Sequence, residues 1–382
     1  MKIGVIGAGA WGLPSALELR MRGHAVTLLD RDVPGGELSS SRGTTRLWRL
    51  ADPRPEVGAV LGPAMEAMDR LSARLGTTLY NRKGLLWRDD VSLESTANTL
   101  DAAGTAYERV PSDRVDEVFP GMVDDGRDAL FIPGAGVVYA ACLLERTLAA
   151  FTAGGGFFPP RPRAGEPRRG PTPAEPAYFP GFLPHFPQIV FTAGPGSSRL
   201  LQQVGIDIPL RSYLEQVVHF GAPDAPDALQ DAPCVFDGPH GDYAGVYGMP
   251  SAGWGYKFGL DRPLRMVDED DEDRSPRPAP TRELLDRVRS AFHGIVPQVL
   301  KEQVCVWTDS PDGKFIIDRV DPSVVVACGD SGEGFKFAAF VGELVADLVE
   351  GAPRGAGDAF RLDRHDWTRV PERGAPTAMG QI

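Results

Sequence analysis

The sequence predicts a two-domain protein of mixed α/β and β architecture, in which a discontinuous Rossmann-type nucleotide-binding domain carries an inserted domain with a mixed or antiparallel sheet. Three observations support this prediction. The chain opens with a glycine-rich strand–turn–helix pattern, short strand-like runs dominate its middle, and a second glycine turn opens a helix near its end. Because single cores stop growing at about 250–300 residues, a chain of 382 residues is expected to form two domains.

The N-terminal pattern predicts a dinucleotide site. An apolar run at residues 3 to 6 is followed by GAGAWG at 7 to 12, helix formers and a second apolar run that ends at Asp30. In this pattern Gly7 makes the tight turn, Gly9 lets a pyrophosphate approach the backbone, and Gly12 lets the helix pack on the sheet. Asp30 follows Gly9 by about 20 residues, the spacing of a carboxylate that binds a ribose hydroxyl. These agreements favour nucleotide binding over a plain α/β turn.

Composition and charge exclude several classes of protein. The net charge of −12 argues against a general nucleic-acid binder. The sequence has no apolar stretch of about 18 residues and no leader pattern, so we expect a cytoplasmic protein without a membrane role. Four cysteines without paired spacing predict neither a disulfide framework nor a metal site. They are Cys142, Cys234, Cys305 and Cys328.

An arginine-rich segment follows the nucleotide pattern. Residues 33 to 49 place Arg42, Arg46 and Arg49 among serines, threonines and glycines. So close to a predicted phosphate site, these arginines are candidates for anion contacts. A solvated loop whose arginines pair with surface acids explains the same pattern equally well.

The remaining periodicities divide the chain into the two domains. Helices are predicted at 55–76, 93–103, 140–152 and 281–293, and strands at 78–87, 129–139, 188–196, 213–220, 243–249, 254–260, 304–308, 315–318 and 324–328. The last strand and the helix after it return to the nucleotide domain. That domain is therefore assigned residues 1–76, 140–208 and 304–382, and the substrate domain residues 77–139 and 209–303.

A segment rich in proline, glycine and arginine interrupts the nucleotide domain at residues 153–187. Such composition predicts a long surface loop. The loop is either a disordered insertion or a flap over a site. The acidic run at 268–273 is most simply a solvated loop.

Four separated stretches carry a resemblance to a known family. They are the N-terminal fingerprint, SRGTTRLWR at 41–49, GYKFGLD at 255–261, and CVWTDSPDGKFIID at 305–318 leading into GDSGEGFKFA at 329–338. On these residues the chain resembles the FAD-dependent amine oxidases of the monomeric sarcosine oxidase and N-methyltryptophan oxidase family, within the D-amino-acid-oxidase-like group. The resemblance covers nearly the whole chain except 153–187, and it implies that the nucleotide is FAD.

The resemblance implies a role for individual residues. Cys305 matches the cysteine joined to the flavin by a thioether, although a buried small side chain is the plainer interpretation. Lys257 matches the lysine beside flavin N5 that activates O₂, where a cation stabilises superoxide, unless it is a strand-surface lysine. Arg49 and Lys336 match the pair that clamps the substrate carboxylate. Further cofactor contacts are implied at Arg42, Thr45, Gly332, Gly334, Phe335 and Lys336.

The chain departs from sarcosine oxidase at several of these positions. Arg42, Asp261 and Glu333 replace histidines, and Trp307 replaces a tyrosine. A carboxylate at 261 resembles the nikkomycin-biosynthesis branch, which oxidises a cyclic imino acid. Asp261 is thus a candidate catalytic residue that holds a cationic amine or accepts a proton from a ring N–H. It is equally well explained as a surface residue at a strand end.

The sequence therefore predicts an FAD-dependent oxidase of an α-amino or α-imino acid with a secondary or cyclic nitrogen. Its other substrate would be O₂, reduced to H₂O₂, and it would act as a monomer in secondary metabolism, without nucleic-acid or membrane partners. Three alternatives are an N-methyl amino acid oxidase that releases formaldehyde, a flavin dehydrogenase with another electron acceptor, and a nonenzymatic nucleotide-binding protein.

Overall fold

The computed structural model describes residues 1–52, 54–159, 186–268, 270–365 and 367. The helices are α1 (Gly12–Met21), α2 (Pro55–Leu75), α3 (Leu93–Ala102), α4 (Val115–Val118), α5 (Ala140–Ala153), α6 (Ser197–Gln202), α7 (Pro278–Ala291) and α8 (Ala338–Glu350). The strands are β1 (Lys2–Ile6), β2 (Ala25–Leu29), β3 (Thr45–Trp48), β4 (Tyr80–Asn81), β5 (Leu85–Arg88), β6 (Glu108–Val110), β7 (Ala129–Ile132), β8 (Gly136–Tyr139), β9 (Gln188–Phe191), β10 (Arg211–Phe220), β11 (Cys234–Asp237), β12 (Val246–Ser251), β13 (Gly255–Leu260), β14 (Arg265–Val267), β15 (Val299–Asp309), β16 (Ile316–Asp321) and β17 (Val324–Cys328). Most of the predicted loop, residues 160–185, lies outside the described part of the chain.

A five-stranded sheet forms the nucleotide-binding half, with strand order β16-β17-β9-β1-β2. β2, β1, β9 and β17 run parallel, and β16 is antiparallel at one edge. β9 and β17 are wholly buried and, apart from Gln188, apolar, as parallel strands covered on both faces must be. α1 packs against α8, where Gly342 allows an approach that a Cβ atom, 2.9 Å from the Pro14 backbone, would obstruct.

A nine-stranded sheet forms the second half, in the order β14-β10-β13-β12-β11-β5-β7-β6, with β15 on the other side of β10. β15 pairs antiparallel with β10 along its whole length, from Arg211 opposite Asp309 to Phe220 opposite Val299. Residues 304–309 therefore belong to this large sheet, whereas the sequence division assigned them to the nucleotide domain. The domain boundary is wrong there because the sequence pattern of β15 is compatible with either sheet. Pairing with β10, which lies far away in the sequence, places β15 in the large sheet.

A three-stranded sheet in the order β3-β8-β4 lies against both halves. β3 belongs to the arginine-rich segment, for which a solvated loop was one of the two interpretations. Part of that segment is therefore a strand, which pairs with β8 from Thr45 opposite Tyr139 to Trp48 opposite Gly136. The two long strands predicted at 78–87 and 129–139 are each broken. In the first, the break contains Gly84, whose φ of +80° turns the chain from β4 into β5.

Two large apolar clusters stabilise the halves. One packs α1, α2, α5 and α8 on β1 and its neighbours, and the other packs α7 on the large sheet through Phe220, Phe258 and Phe292. Each buried aromatic ring of this kind contributes about 1.5–3 kcal/mol. None of the described helices is long and apolar enough to cross a membrane. Within the same residues, no group of three or more His, Cys, Asp or Glu side chains is arranged to hold a metal ion.

Candidate active site

One cleft joins the nucleotide sheet to the large sheet. Its first wall is the carboxyl edge of the parallel strands, where ligands bind in open α/β folds, and its second wall is the face of β10, β12, β13 and β15. The lining includes Gly7, Gly9, Asp30, Ser40, Thr192 and Gly329 on the first wall, Glu215, Tyr247, Lys257, Cys305 and Trp307 on the second, and Arg46, Arg49, Glu333, Phe335 and Lys336 between them. Residues from both ends of the chain and from its middle therefore meet in one space.

The glycine turn between β1 and α1 is built for close backbone contact. Gly7 has φ of +107°, and a Cβ there would lie 2.3 Å from the Thr192 carbonyl oxygen. A Cβ on Gly12 would lie 1.7 Å from the Gly7 oxygen, so only glycine lets α1 start this close to the strand. Gly9 faces the cleft with only the Ser41 hydroxyl nearby, at 3.2 Å from an added Cβ. The turn thus leaves room for an anionic group at the start of α1.

Asp30 closes the same end of the cleft. Its Oδ2 accepts a hydrogen bond from the Ala8 amide at 2.6 Å, and its Oδ1 accepts one from the Asp32 amide at 2.8 Å. Burial raises the pKa of this carboxyl, and the two amides act against that rise. The carboxylate is therefore fixed against the glycine turn, beside the place where a ribose would lie.

Two buried polar atoms in the cleft wall have no hydrogen-bond partner among the described residues. They are the Ser40 hydroxyl on the nucleotide side and the indole Nε1 of Trp307 on the large sheet. Buried polar groups in native proteins are nearly always paired. Their position indicates that a polar ligand, such as a dinucleotide and its co-substrate, completes their bonding.

Lys257 on β13 presents a buried cation to the second wall. Its Nζ donates to the Thr45 carbonyl oxygen at 2.7 Å, which ties β13 to β3. Burial, and secondarily the nearby charge of Arg46, lowers the pKa of Lys257 to about 7. The ammonium group is therefore both fixed in position and able to change its charge near neutral pH.

Cys305 lies on β15, half-buried and lining the cleft. Its Sγ accepts a hydrogen bond from Gln303 Nε2 at 3.3 Å. In the register of the sheet it stands directly opposite Glu215 of β10. The thiol is thus accessible from the cleft and has acidic and amide neighbours.

Arg49 and Lys336 both form ion pairs with the carboxylate of Glu333. Arg49 Nη2 lies 2.6 Å from Glu333 Oε2 and 2.9 Å from Asp52, and Lys336 Nζ lies 3.2 Å from the same Glu333 oxygen. Arg54 pairs with the other oxygen of Glu333 and with Asp52. The cation pair predicted to hold a substrate carboxylate is therefore occupied by a carboxylate of the chain itself.

This cluster is strongly coupled. Burial alone would raise the pKa of Glu333, but the charges of Arg49, Arg54 and Lys336 hold it far below its ordinary value. Burial lowers the pKa of Lys336 to about 8, with Glu333 acting against the change. With Lys336 protonated, three cations face the two carboxylates of Asp52 and Glu333, so one positive charge is left for a ligand.

Four predicted site residues do not line the cleft. Gly12 lies beneath the turn, Arg42 is half-exposed and pairs with Glu37 at 3.4 Å, and Thr45 is buried with its hydroxyl on the Pro250 carbonyl oxygen. Asp261 is the important case, because it was a catalytic candidate. It follows β13 four residues after Lys257, which at 3.3 Å per residue carries it about 13 Å along the strand. Asp261 is buried and does not line the cleft with Lys257, so it is not the surface residue that was the alternative, and its catalytic role stays a prediction.

Two acidic residues of the cleft were missed or left without a role by sequence reasoning. Glu215 was not singled out, although a glutamate within the otherwise buried strand β10 is an available signal. Glu333 was noticed only as a departure from the family pattern. Tyr247 and Trp11 were also missed; the Trp11 indole donates to the Gly334 carbonyl oxygen at 2.8 Å and joins the two glycine turns.

The glycine turn, Asp30 and the sheet-lined cleft are the features of a dinucleotide-binding protein. The chain belongs to the FAD-dependent oxidoreductase family DAO, whose model matches residues 2–348. FAD is therefore its cofactor class, and the predicted fold class and family are confirmed.

Individual relatives cover almost the whole chain. Peroxisomal sarcosine oxidase of Mus musculus is 26% identical over 381 residues, covering 94% of this chain and 95% of the mouse protein. Monomeric sarcosine oxidase of Bacillus sp. is 27% identical over 362 residues, covering 90% and 91%. Among solved structures, NikD, described as an unusual amino acid oxidase essential for nikkomycin biosynthesis, is similar with a TM-score of 0.74 and 18% identity over 97% of each chain. Fructosamine oxidase of Aspergillus fumigatus reaches 0.78 at 17% identity, covering 100% of this chain and 93% of that one. These structures share the fold.

Proposed function

We propose that this protein is an FAD-dependent oxidase of an α-amino or α-imino acid with a secondary or cyclic nitrogen, and that O₂ is its electron acceptor. The observation that carries the proposal is the convergence of the glycine turn, Lys257, Cys305 and the Arg49–Lys336 pair on one cleft. The names of the relatives agree with it, since sarcosine oxidases and NikD are oxidases of amino acids. The small-molecule substrate and a monomeric, cytoplasmic enzyme belong to the same proposal.

FAD, when bound, supplies the two-electron oxidation of a C–N bond. The chain's residues bind and orient it. Gly7 and Gly9 admit the pyrophosphate at the start of α1, Asp30 receives the ribose, and Phe335 stands with its ring 5.3 Å from the Arg46 guanidinium, in the middle of the cleft. Cys305, exposed to the cleft from β15, is the candidate for a thioether link.

The substrate carboxylate is proposed to bind Arg49 and Lys336 by replacing one oxygen of Glu333. Glu333 Oε1 stays on Arg54 while Oε2 leaves the other two cations. The exchange preserves a charge-assisted bond for every group, so it avoids the cost of several kcal/mol that an unpaired buried charge carries. A preference for ligands that carry a carboxylate follows, because a ligand without an anion cannot replace Glu333 on these cations.

Lys257 is proposed to serve the oxidative half of the reaction. A fixed cation beside the redox site stabilises the negative charge that O₂ acquires with its first electron. Its bond to the Thr45 carbonyl holds the ammonium in place, so no reorganisation is needed as that charge appears.

A precipitation experiment tests the cofactor link first. The purified yellow protein is precipitated with acid, and we expect flavin absorbance to stay with the pellet. Cys305→Ser should release the flavin to the supernatant, and Cys142→Ser, which removes the other half-buried thiol, should not. Flavin released from the wild type would overturn the covalent link, and a colourless protein without flavin would overturn the assignment of the site.

A substrate screen tests the reaction. Cyclic imino acids such as proline and pipecolic acid, and N-methyl amino acids, are supplied with air while H₂O₂ and formaldehyde are measured. We expect H₂O₂ without formaldehyde from a cyclic substrate. Formaldehyde would instead show a sarcosine-type oxidase, and flavin reduction without H₂O₂ would show a dehydrogenase.

A further inference from the structure

Glu215 is a buried carboxylate in the cleft, and the function proposed above gives it no role. It lies on β10 and lines the cleft with Lys257 and Cys305. Among the described residues its carboxylate has one hydrogen-bond partner, the Tyr247 hydroxyl, which donates to Oε1 in a short contact. A carboxylate held by a neutral hydroxyl keeps most of its capacity to accept a proton.

The fold makes room for this pair. Tyr247 lies on β12 and Glu215 on β10, with β13 between them. Tyr247 reaches across Gly259 of β13, where a Cβ atom would lie 2.4 Å from its hydroxyl. The absence of a side chain at Gly259 is therefore what lets the tyrosine meet the glutamate.

The other carboxylates that line the cleft have firm partners. Asp30, Asp32 and Asp330 accept backbone amides, and Glu333 is held by three cations. A protonated amine approaching the large sheet therefore finds one carboxylate that is bound only by a hydroxyl. That carboxylate is Glu215.

The surroundings of Glu215 set its proton affinity. Tyr247 from β12, Lys257 from β13, Arg46 from β3 and the Cys305 thiol from β15 all face the same part of the cleft. Burial raises the pKa of Glu215 to about 7, and the Tyr247 hydroxyl and the two cations limit the rise. The group is ionised above neutral pH and protonated below it.

We propose that Glu215, oriented by Tyr247, takes the proton of the substrate ammonium group. An amine enters as R₂NH₂⁺, one N–H bond breaks, its proton forms an O–H bond on Glu215, and the neutral amine keeps the nitrogen lone pair that oxidation of the C–N bond requires. The inference rests on the proposed function, since it assumes an amine substrate.

The number of protons released on ligand binding tests whether Glu215 and the ligand hold one proton between them, and an infrared carbonyl band of a protonated carboxyl group that is absent from Glu215→Gln shows that this proton lies on Glu215. The ligand is α-methylproline, which carries no hydrogen on the α-carbon, and binding is followed without air by calorimetry in buffers of different ionisation enthalpy. At about pH 8 the ammonium proton moves to ionised Glu215, so about zero protons should reach the buffer. At about pH 6 Glu215 is already protonated, so about one proton should be released.

Variants show which residue causes this change in the number of released protons between about pH 6 and about pH 8, called the pH switch below. In Glu215→Gln the proton count should be the same at both pH values. In Tyr247→Phe the switch should move to higher pH, because the lost hydroxyl stabilised the ionised form of Glu215. Glu302→Gln removes an exposed carboxylate from β15 as a control and should leave the switch unchanged.

Two results would overturn the inference. A Glu215→Gln protein that keeps the wild-type switch shows that another group takes the proton, even if proline still reduces the flavin. If no cyclic or N-alkyl amino acid reduces the flavin and α-methylproline does not bind, the proposed function fails together with it.

Discussion

Lys257 combines two properties that decide its expected behaviour: a fixed position, through the Thr45 carbonyl, and a pKa lowered to about 7 by burial. In Lys257→Met we expect reoxidation of the reduced enzyme by O₂ to slow by about 100-fold or more, since a preorganised charge is lost. Reduction of the flavin by substrate should change little. Rapid-mixing measurements of the two half-reactions separate these effects.

The wild-type pH dependence supplies the control. Lys257 loses its charge as pH rises through about 7, so reoxidation should slow in that direction. The variant should show no such slope. If both half-reactions slow equally in Lys257→Met, the lysine has a general structural role instead.

Glu333 is a built-in competitor for any carboxylate ligand. Glu333→Gln raises the charge of its cluster from +1 to +2 and frees donors of Arg49 and Lys336. We expect cyclopentanecarboxylate, an analogue that lacks the nitrogen, to bind at least about tenfold more tightly, which corresponds to about 1.4 kcal/mol. Perturbation of the flavin spectrum measures the dissociation constant.

A surface variant of similar chemistry is the control for Glu333→Gln. Glu343 on α8 pairs with the exposed Arg70 of α2, and Glu343→Gln should leave the affinity unchanged. An unaltered dissociation constant in Glu333→Gln would mean that ligand carboxylates bind elsewhere.

The site could be predicted in part. Lys257, Cys305 and Lys336 belong to recognisable motifs and do line the cleft, although their roles stay predictions. Asp261 belongs to the same sequence motif as Lys257 but does not line the cleft, because it lies four residues further along the extended chain. Glu215 belongs to no motif. Its place depends on β10 lying beside β15 and on the gap at Gly259, neither of which one segment of sequence contains.

At the scale of elements, the glycine turn needs Gly12 for the packing of α1 on β1 and Gly9 for access of the cofactor. In Gly12→Ala a methyl group would overlap the Gly7 carbonyl, so α1 must shift and the protein should lose stability and flavin together. In Gly9→Ala the methyl meets only the Ser41 hydroxyl. This variant should fold with a near-normal Tm while its flavin content falls.

Thermal unfolding and the flavin-to-protein absorbance ratio distinguish these cases. Gly62→Ala is a suitable control, because nothing lies within 4 Å of its added Cβ in the middle of α2. It should raise stability by up to about 1 kcal/mol. Equal loss of Tm in Gly9→Ala and Gly12→Ala would contradict the division of roles.

Elements with a clear apolar pattern were predictable, and the four-residue strand β11 was not. The helix expected at 55–76 is Pro55–Leu75, and the strand expected at 324–328 is Val324–Cys328. Cys234–Asp237 was missed, because four residues carry too little pattern. It is a strand because β5 and β12 flank it, which is a property of the assembled sheet.

At the scale of the molecule, the Glu333 cluster ties the segment after β3 to the turn before α8. Because the pKa of Glu333 lies well below its ordinary value of 4.5 in the folded protein, its ion pairs stabilise the fold above about pH 4.5 and are lost as pH falls further. The Tm advantage of the wild type over Glu333→Gln should therefore shrink between about pH 5 and pH 3.5. Fluorimetric melting curves at stepped pH measure it, and a constant gap would refute the contribution.

The strand order β16-β17-β9-β1-β2 has a consequence for biosynthesis. β1 leaves the ribosome first, but its neighbour β9 follows only at residue 188, and the strand beyond that at residue 324. The nascent chain therefore holds β1, an apolar strand, with one open edge until residues 188–191 have been made, and such non-local pairing is slow and prone to aggregation. The cleft also needs residues as late as Lys336, so it forms only after these have been made, and we expect the flavin to be loaded after them.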